Sequence, residues 1–240
     1  MSKLSSRNQM IIALAVGVVT LLAVFGGLFW IDSRNDREVS SSAERPAAEI
    51  PPPVSEERVT LAVIGDSYSV PVQLADHWPT KLAYQHRWYL RNVAKGGVGY
   101  VQENVAKGKY SFLRQLDDII PVKPAVLIVA GGRNDVSHPY EVGPAAREMF
   151  AKIKAELPDA KVLIVGPMVG ADVPTPTAWN VNEEIRTAAL EAGLPFVDGM
   201  AWLTNPDVLK EDRAHPNSAG NVILAEKIGA ALEPLLPPAN

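Results

Sequence analysis

The chain has 240 residues, a net charge of −4 and no cysteine. The missing thiol excludes disulfides, thiolate catalysis, Cys-ligated metal and lipid attachment through cysteine. The mild acidity, with no basic stripe, argues against a nucleic-acid surface.

Lys3 and Arg7 mark residues 1–9 as a short tail before residues 10–31, which carry no charge and are almost wholly apolar. At about 1.5 Å per helical residue that run can span a bilayer. The flanking charges place 1–9 in the cytoplasm and the rest of the chain outside. The run is longer than the usual core of a secretory signal, and the nearest small-residue site, Ser41-Ser42-Ala43, lies well past its end. An uncleaved single-pass anchor is the expected reading, with secretion after cleavage as the alternative. Residues 32–57 are rich in Ser, Ala, Pro and charge and end near Pro51-Pro52-Pro53, the composition of a tether that buries no core.

From residue 58 to 240 the pattern changes to short apolar runs alternating with helical periodicity. Strands are predicted at 59–64, 88–93, 124–130, 161–165 and 195–197. Helices are predicted at 73–86, 112–120, 145–157 and 179–192, and again from Ser218, where Val222, Ala225, Ile228 and Leu232 share a face. Such alternation implies an α/β fold, a three-layer αβα sandwich around a parallel, flavodoxin-like sheet. Ligands in such sheets sit beyond the carboxyl ends of the strands.

Four fragments fall at that edge: Gly65-Asp66-Ser67, Gly96-Gly97, Gly132-Arg133-Asn134-Asp135 and Asp212-Arg213-Ala214-His215. Ser67 lies where the first strand turns toward a helix, the place for an exposed nucleophile, although a helix-capping turn fits the tripeptide equally well. Gly97 can turn its N–H toward a developing oxyanion, and the Asn134 amide is a neutral donor for the same charge. Asp212 and His215 are spaced so that the carboxylate reaches Nδ1 and Nε2 faces the serine. Asp135-Val136-Ser137-His138-Pro139 repeats the D-x-x-H-P spacing and is a rival for the base. Asp212/His215 is favoured because it opens the last helix and leaves the third strand to supply Asn134. His77 and His86, in a polar helical stretch, are expected at the surface or between layers.

These residues, in this order, resemble the SGNH (GDSL-type) hydrolase family from residue 59 to 236, with similarity to envelope-linked actinobacterial members. The resemblance implies a serine esterase or acyl-transfer fold with a shallow site. Ser67, Asp212 and His215 would be catalytic, and Ser67, Gly97 and Asn134 would form the oxyanion hole. Tyr68, Arg133 and Trp179 are the expected substrate-lining residues. No metal or organic cofactor is implied. The stretch Tyr68-Ser69-Val70-Pro71 departs from the consensus in lacking its leucine and a downstream glycine. The Pro-rich loop 169–177 fits a rim on the cleft or an inert connection.

The expected function is therefore a membrane-anchored, extracytoplasmic serine ester hydrolase. Its substrate would be a small, or carbohydrate- or lipid-linked, O-acyl ester. Two alternatives stand beside it: an O-acyltransferase acting on envelope glycan or lipid, and a catalytically silent glycan-binding domain. A doubly wound nucleotide binder is disfavoured, since no Gly-rich phosphate loop follows the first strand.

Overall fold

Apolar side chains at every position of a strand demand cover on both faces, and the sheet is built to supply it. The structure, a computed structural model, describes residues 59–70, 77–171 and 175–237. The apolar 10–31 run, the 32–57 stretch, the start of the first predicted helix and part of the 169–177 loop lie outside those residues. Among the described residues no helix is long and apolar enough to cross a membrane.

Five strands form one parallel sheet: β1 (Thr60–Gly65), β2 (Tyr89–Asn92), β3 (Val126–Ala130), β4 (Lys161–Val165) and β5 (Phe196–Val197), in the order β2-β1-β3-β4-β5. In register, Leu61–Gly65 run beside Val126–Ala130, and Val126–Ala130 beside Lys161–Val165. The central β3 is wholly buried, while the edge strand β2 alternates exposed and half-buried residues.

The period-two geometry of the strands sorts their side chains between two cores. Ala62, Ile64, Leu127, Val129, Val162 and Ile164 pack under helices α2 (Phe112–Asp117), α3 (Pro139–Glu156) and α4 (Pro176–Glu191). Leu61, Val63, Val126, Ile128, Leu163 and Val165 pack under α1 (Trp78–Gln85) and α5 (Ser218–Leu232). Each fully buried Leu, Ile or Val contributes about 1.5–3 kcal/mol. The expected α/β sandwich is present, and its strands lie within two residues of their predicted bounds.

The helix bounds differ more: α2 ends at Asp117 and not at 120, and α4 begins at Pro176 and not at 179. α3 begins at Pro139, not at 145, and runs through Gly143 and Pro144. Pro139 sits in the first turn, where its missing N–H costs nothing, and Pro144 forfeits a single bond near the start of a long helix. A Cβ on Gly143 would collide with the Glu184 carboxylate, so the glycine lets α3 approach α4. Gly143 is therefore a close-packing residue, while Pro144 lies on the exposed side of the helix.

Candidate active site

β1 ends at Gly65, where a Cβ would lie 2.8 Å from the Ala130 carbonyl. Beyond it the ladder is completed by a side chain: Gly65 N–H donates to Gln115 Oε1, and Gln115 Nε2 donates to Gly65 O, both at 3.2 Å. The chain then turns sharply. Asp66 Oδ1 accepts the Tyr68 N–H at 3.0 Å, and Ser69 N–H returns to Asp66 O at 3.0 Å. This Asx-type turn presents Ser67 outward while Asp66 is buried inward. Burial pushes the Asp66 carboxyl up to about 6.

The fourth fragment arrives from the opposite side. Arg213 adopts φ 53°, and Lys210 N–H donates to His215 O at 2.8 Å, closing a tight loop before α5. Inside it, Asp212 Oδ1 accepts the N–H groups of Ala214 (3.0 Å) and His215 (2.9 Å), while Oδ2 meets His215 Nδ1 at 2.7 Å. The backbone bond from His215, its ring and the Ala214 N–H together hold the Asp212 carboxyl far below the usual range. An ionised Asp212 keeps the proton on Nδ1, which leaves Nε2 as the acceptor. His215 Nε2 lies 2.9 Å from Ser67 Oγ. Asn217 caps α5 by accepting the Gly220 N–H at 3.1 Å, so the helix cap and the imidazole loop are one structure.

The glycine fragments flank Ser67. A Cβ on Gly96 would lie 3.7 Å from Ser67 Cβ, so this backbone passes directly beside the serine, and Gly97 follows at φ 77°. Asn134 Nδ2 donates to Val98 O at 2.8 Å, which fixes the amide against the same loop and leaves its second hydrogen to point elsewhere. Ser67, Asp212 and His215 are joined in one hydrogen-bonded relay, with Gly97 on the loop after β2 and Asn134 on the loop after β3.

The remaining predicted residues separate. Tyr68 is corrected: it is 1% exposed, so it does not line a cleft. Its hydroxyl donates to Ala214 O at 2.6 Å, and its ring lies 5.4 Å from the imidazole, supporting the His215 loop from below. Burial pushes that hydroxyl up to about 12, so it remains a donor. Trp179 is 45% exposed near the start of α4 and makes no ring contact with His215 among the described residues. Arg133 is half-buried beside Asn134. His77 is buried at the N-cap of α1, and His86 is exposed and stacks on Trp88 at 4.2 Å. No group of three metal-ligating side chains occurs among the described residues.

The rival Asp-x-x-His pair does not assemble. His138 turns to Glu141 at 3.4 Å, at the surface. Asp135 is fully buried and faces the other way, accepting the N–H groups of Tyr100 (2.8 Å), Val101 (3.0 Å) and Gln102 (2.8 Å). It therefore holds the loop that carries Gly97. This role has no sequence signal beyond the Gly-Gly-x-Asn-Asp turn itself, and the ladder role of Gln115 has none.

The sequence profile of the GDSL-like lipase/acylhydrolase family matches residues 63–223. A GDSL lipase of Mycobacterium tuberculosis is 30% identical over 189 residues, covering 70% of this chain and 79% of that protein. An acetylxylan esterase of Xylanibacter ruminicola is 26% identical over 221 residues, covering 77% of this chain but only 45% of the relative. Among solved structures, a carbohydrate acetylesterase from Sinorhizobium meliloti superposes with a TM-score of 0.59 at 16% identity, covering 75% of this chain and all of that one. That likeness speaks for the fold. Taken with the match over residues 63–223, it leaves one assignment: the chain belongs to the GDSL-like lipase/acylhydrolase family and is a carboxylic ester hydrolase.

Proposed function

We propose that hydrolysis proceeds through an acyl-enzyme on Ser67, with His215 as general base and acid, on small O-acyl esters of carbohydrate. The observation that carries this reading is the unbroken relay from Asp212 through His215 to Ser67 Oγ, at 2.7 and 2.9 Å. As Ser67 Oγ bonds to the ester carbonyl carbon, its proton passes to His215 Nε2, and Asp212 stabilises the imidazolium. The carbonyl oxygen becomes an oxyanion received by the N–H groups of Ser67 and Gly97 and by the Asn134 amide. Each such donor is worth about 3–4 kcal/mol in the transition state. Collapse breaks the bond to the alcohol oxygen, which leaves with the proton from His215. Water then repeats the sequence and frees Ser67.

The carbohydrate assignment is supported by the relatives named as an acetylxylan esterase and a carbohydrate acetylesterase. It is supported too by the exposure of the relay, whose His215 and Asp212 side chains are 33% and 49% exposed, as suits a bulky polar alcohol. We assign the protein to the outer face of a membrane, held by residues 10–31 through the 32–57 tether, on the charge and apolar pattern of those segments.

The test uses the full-length protein with p-nitrophenyl acetate and a fluorophosphonate probe. Wild type should turn over the ester and label, and Ser67→Ala should lose at least about a thousandfold of kcat and all labelling. A wild-type protein that does neither refutes the reading. Hydrolysis of acetylated xylan and exclusion of acyl transfer to added alcohols then test the substrate and the acceptor.

A further inference from the structure

Four described cations outside the site are each paired with a carboxylate: Arg114 with Glu103 at 3.6 Å, Arg147 with Glu191 at 2.6 Å, Lys152 with Asp117 at 2.5 Å, and Arg186 with Glu183. Two further cations, both half-buried, lie at the site. Lys109 reaches back over the exit of β2, its Nζ 3.8 Å from where a Cβ on Gly97 would stand. It makes no ion pair among the described residues. Glu103, in the same loop, is taken by Arg114 and by the Ser111 N–H at 3.1 Å.

Arg133 lies on the other loop of the same edge, between Gly132 and Asn134, and also lacks a carboxylate partner among the described residues. Its charge acts on Tyr68 and Asp66, the two residues that bracket Ser67. Lys109 and Arg133 thus place two half-buried positive charges on the two loops that flank Ser67. Partial burial leaves such charges less screened than at an open surface, so an anion entering the site would be attracted to both.

We propose that Lys109 and Arg133 form an anion-recognising flank, so that the preferred substrates are esters bearing a carboxylate or phosphate within side-chain reach of the scissile carbonyl. This rests on the serine-hydrolase reading and narrows its substrate class. The acyl portion and the alcohol portion could each supply the same chemistry, as a dicarboxylate half-ester or as an acylated uronate or sugar phosphate. Attraction of this kind weakens with salt, whereas apolar recognition does not.

Two matched pairs of esters test it on the full-length protein, each rate divided by the ester's own hydroxide rate. For the alcohol side, 4-acetoxybenzoate is compared with 4-acetoxybenzamide; for the acyl side, phenyl hydrogen adipate is compared with methyl phenyl adipate. In at least one pair the anionic ester should show kcat/KM higher by about tenfold, with the gain in KM, as expected for a charge pair near a protein surface. The pair that shows it identifies the side of the ester that carries the anion. That ratio should fall toward one in Lys109→Met and Arg133→Met, and toward one in wild type at high salt. Ratios near one for both pairs in wild type overturn the inference. So do variants that slow anionic and neutral esters equally, because the cations would then serve the oxyanion and not the substrate. A wild type inactive on the neutral esters and unlabelled by fluorophosphonate removes the hydrolase reading itself.

Discussion

Asp135 lies outside the Asp212–His215–Ser67 relay, yet it holds the loop that carries Gly97. Its carboxylate gathers three consecutive N–H groups from residues 100–102, and a Cβ on Gly99 would collide with it. Only a glycine, therefore, allows the loop to wrap so closely. Asn134 ties Val98 from the same turn, so residues 98–102 are held from one short segment after β3. Replacing Asp135 by Ala leaves one buried and two part-buried donors without an acceptor, each costing up to about 1–3 kcal/mol before water enters. Asp135→Ala should lower unfolding free energy by about 3 kcal/mol and kcat by 10- to 100-fold (rough range), with KM little changed, since the oxyanion donors act on the transition state. Denaturant melts and steady-state kinetics check both effects. His138→Ala, by contrast, removes only an exposed contact with Glu141 and should leave fluorophosphonate labelling intact. His215→Ala should abolish it. Labelling that survives His215→Ala and fails in His138→Ala would reverse the assignment of the base.

At the scale of elements, the last helix and the loop before it act together. Asn217 accepts from Gly220 N–H and donates to the carbonyls of Asp207 (2.8 Å) and Leu209 (3.1 Å), binding the start of α5 to the turn that bends back to His215. Asn217→Ala should cost about 1–2 kcal/mol as a lost helix cap. It should also slow acylation, because the freed loop no longer fixes the imidazole; Asn217→Asp, which keeps the cap acceptor, should recover most stability but less activity. Melting curves and probe-labelling rates separate the two. These elements were legible to different degrees. The strands, as short apolar runs, and the Ser67, Asp212 and His215 placements follow from local pattern and sheet topology. The start of α3 does not, because the packing of Gly143 against α4 is a contact between distant segments that local pattern does not show. The positions of Tyr68 and Lys109 were equally hidden: one depends on the loop at Ala214 that folds over it from 146 residues away, the other on a loop that returns to Gly97.

For the molecule as a whole, the buried carboxylates near the site set how stability responds to pH. Burial raises both Asp66, to about 6, and Asp135, while Asp212 is held low by its hydrogen bonds. The signs are opposite. A carboxyl whose folded value is raised is protonated in the folded state where the unfolded chain has lost its proton, so stability falls as pH rises from about 4 through about 6. Asp212 contributes in the other direction: its stabilisation is present above the ordinary aspartate range and is lost as pH drops below it. For Asp66 a rise from 3.8 to about 6 corresponds to about 3 kcal/mol, given by about 1.4 kcal/mol for each unit. The fold thus carries an ionised, buried group at neutral pH, and the Tyr68 N–H bond of the turn that aims Ser67 opposes that cost only in part. Asp66→Asn keeps an acceptor for the Tyr68 N–H but cannot ionise. Its unfolding free energy relative to wild type should rise by about 3 kcal/mol between pH 4 and pH 7, a shift of about 6–12 °C in the Tm difference. Equilibrium unfolding at a series of pH values checks this. A wild-type-minus-variant difference that stays flat across that interval would mean that Asp66 titrates at its ordinary value, its hydrogen bonds fully offsetting its burial.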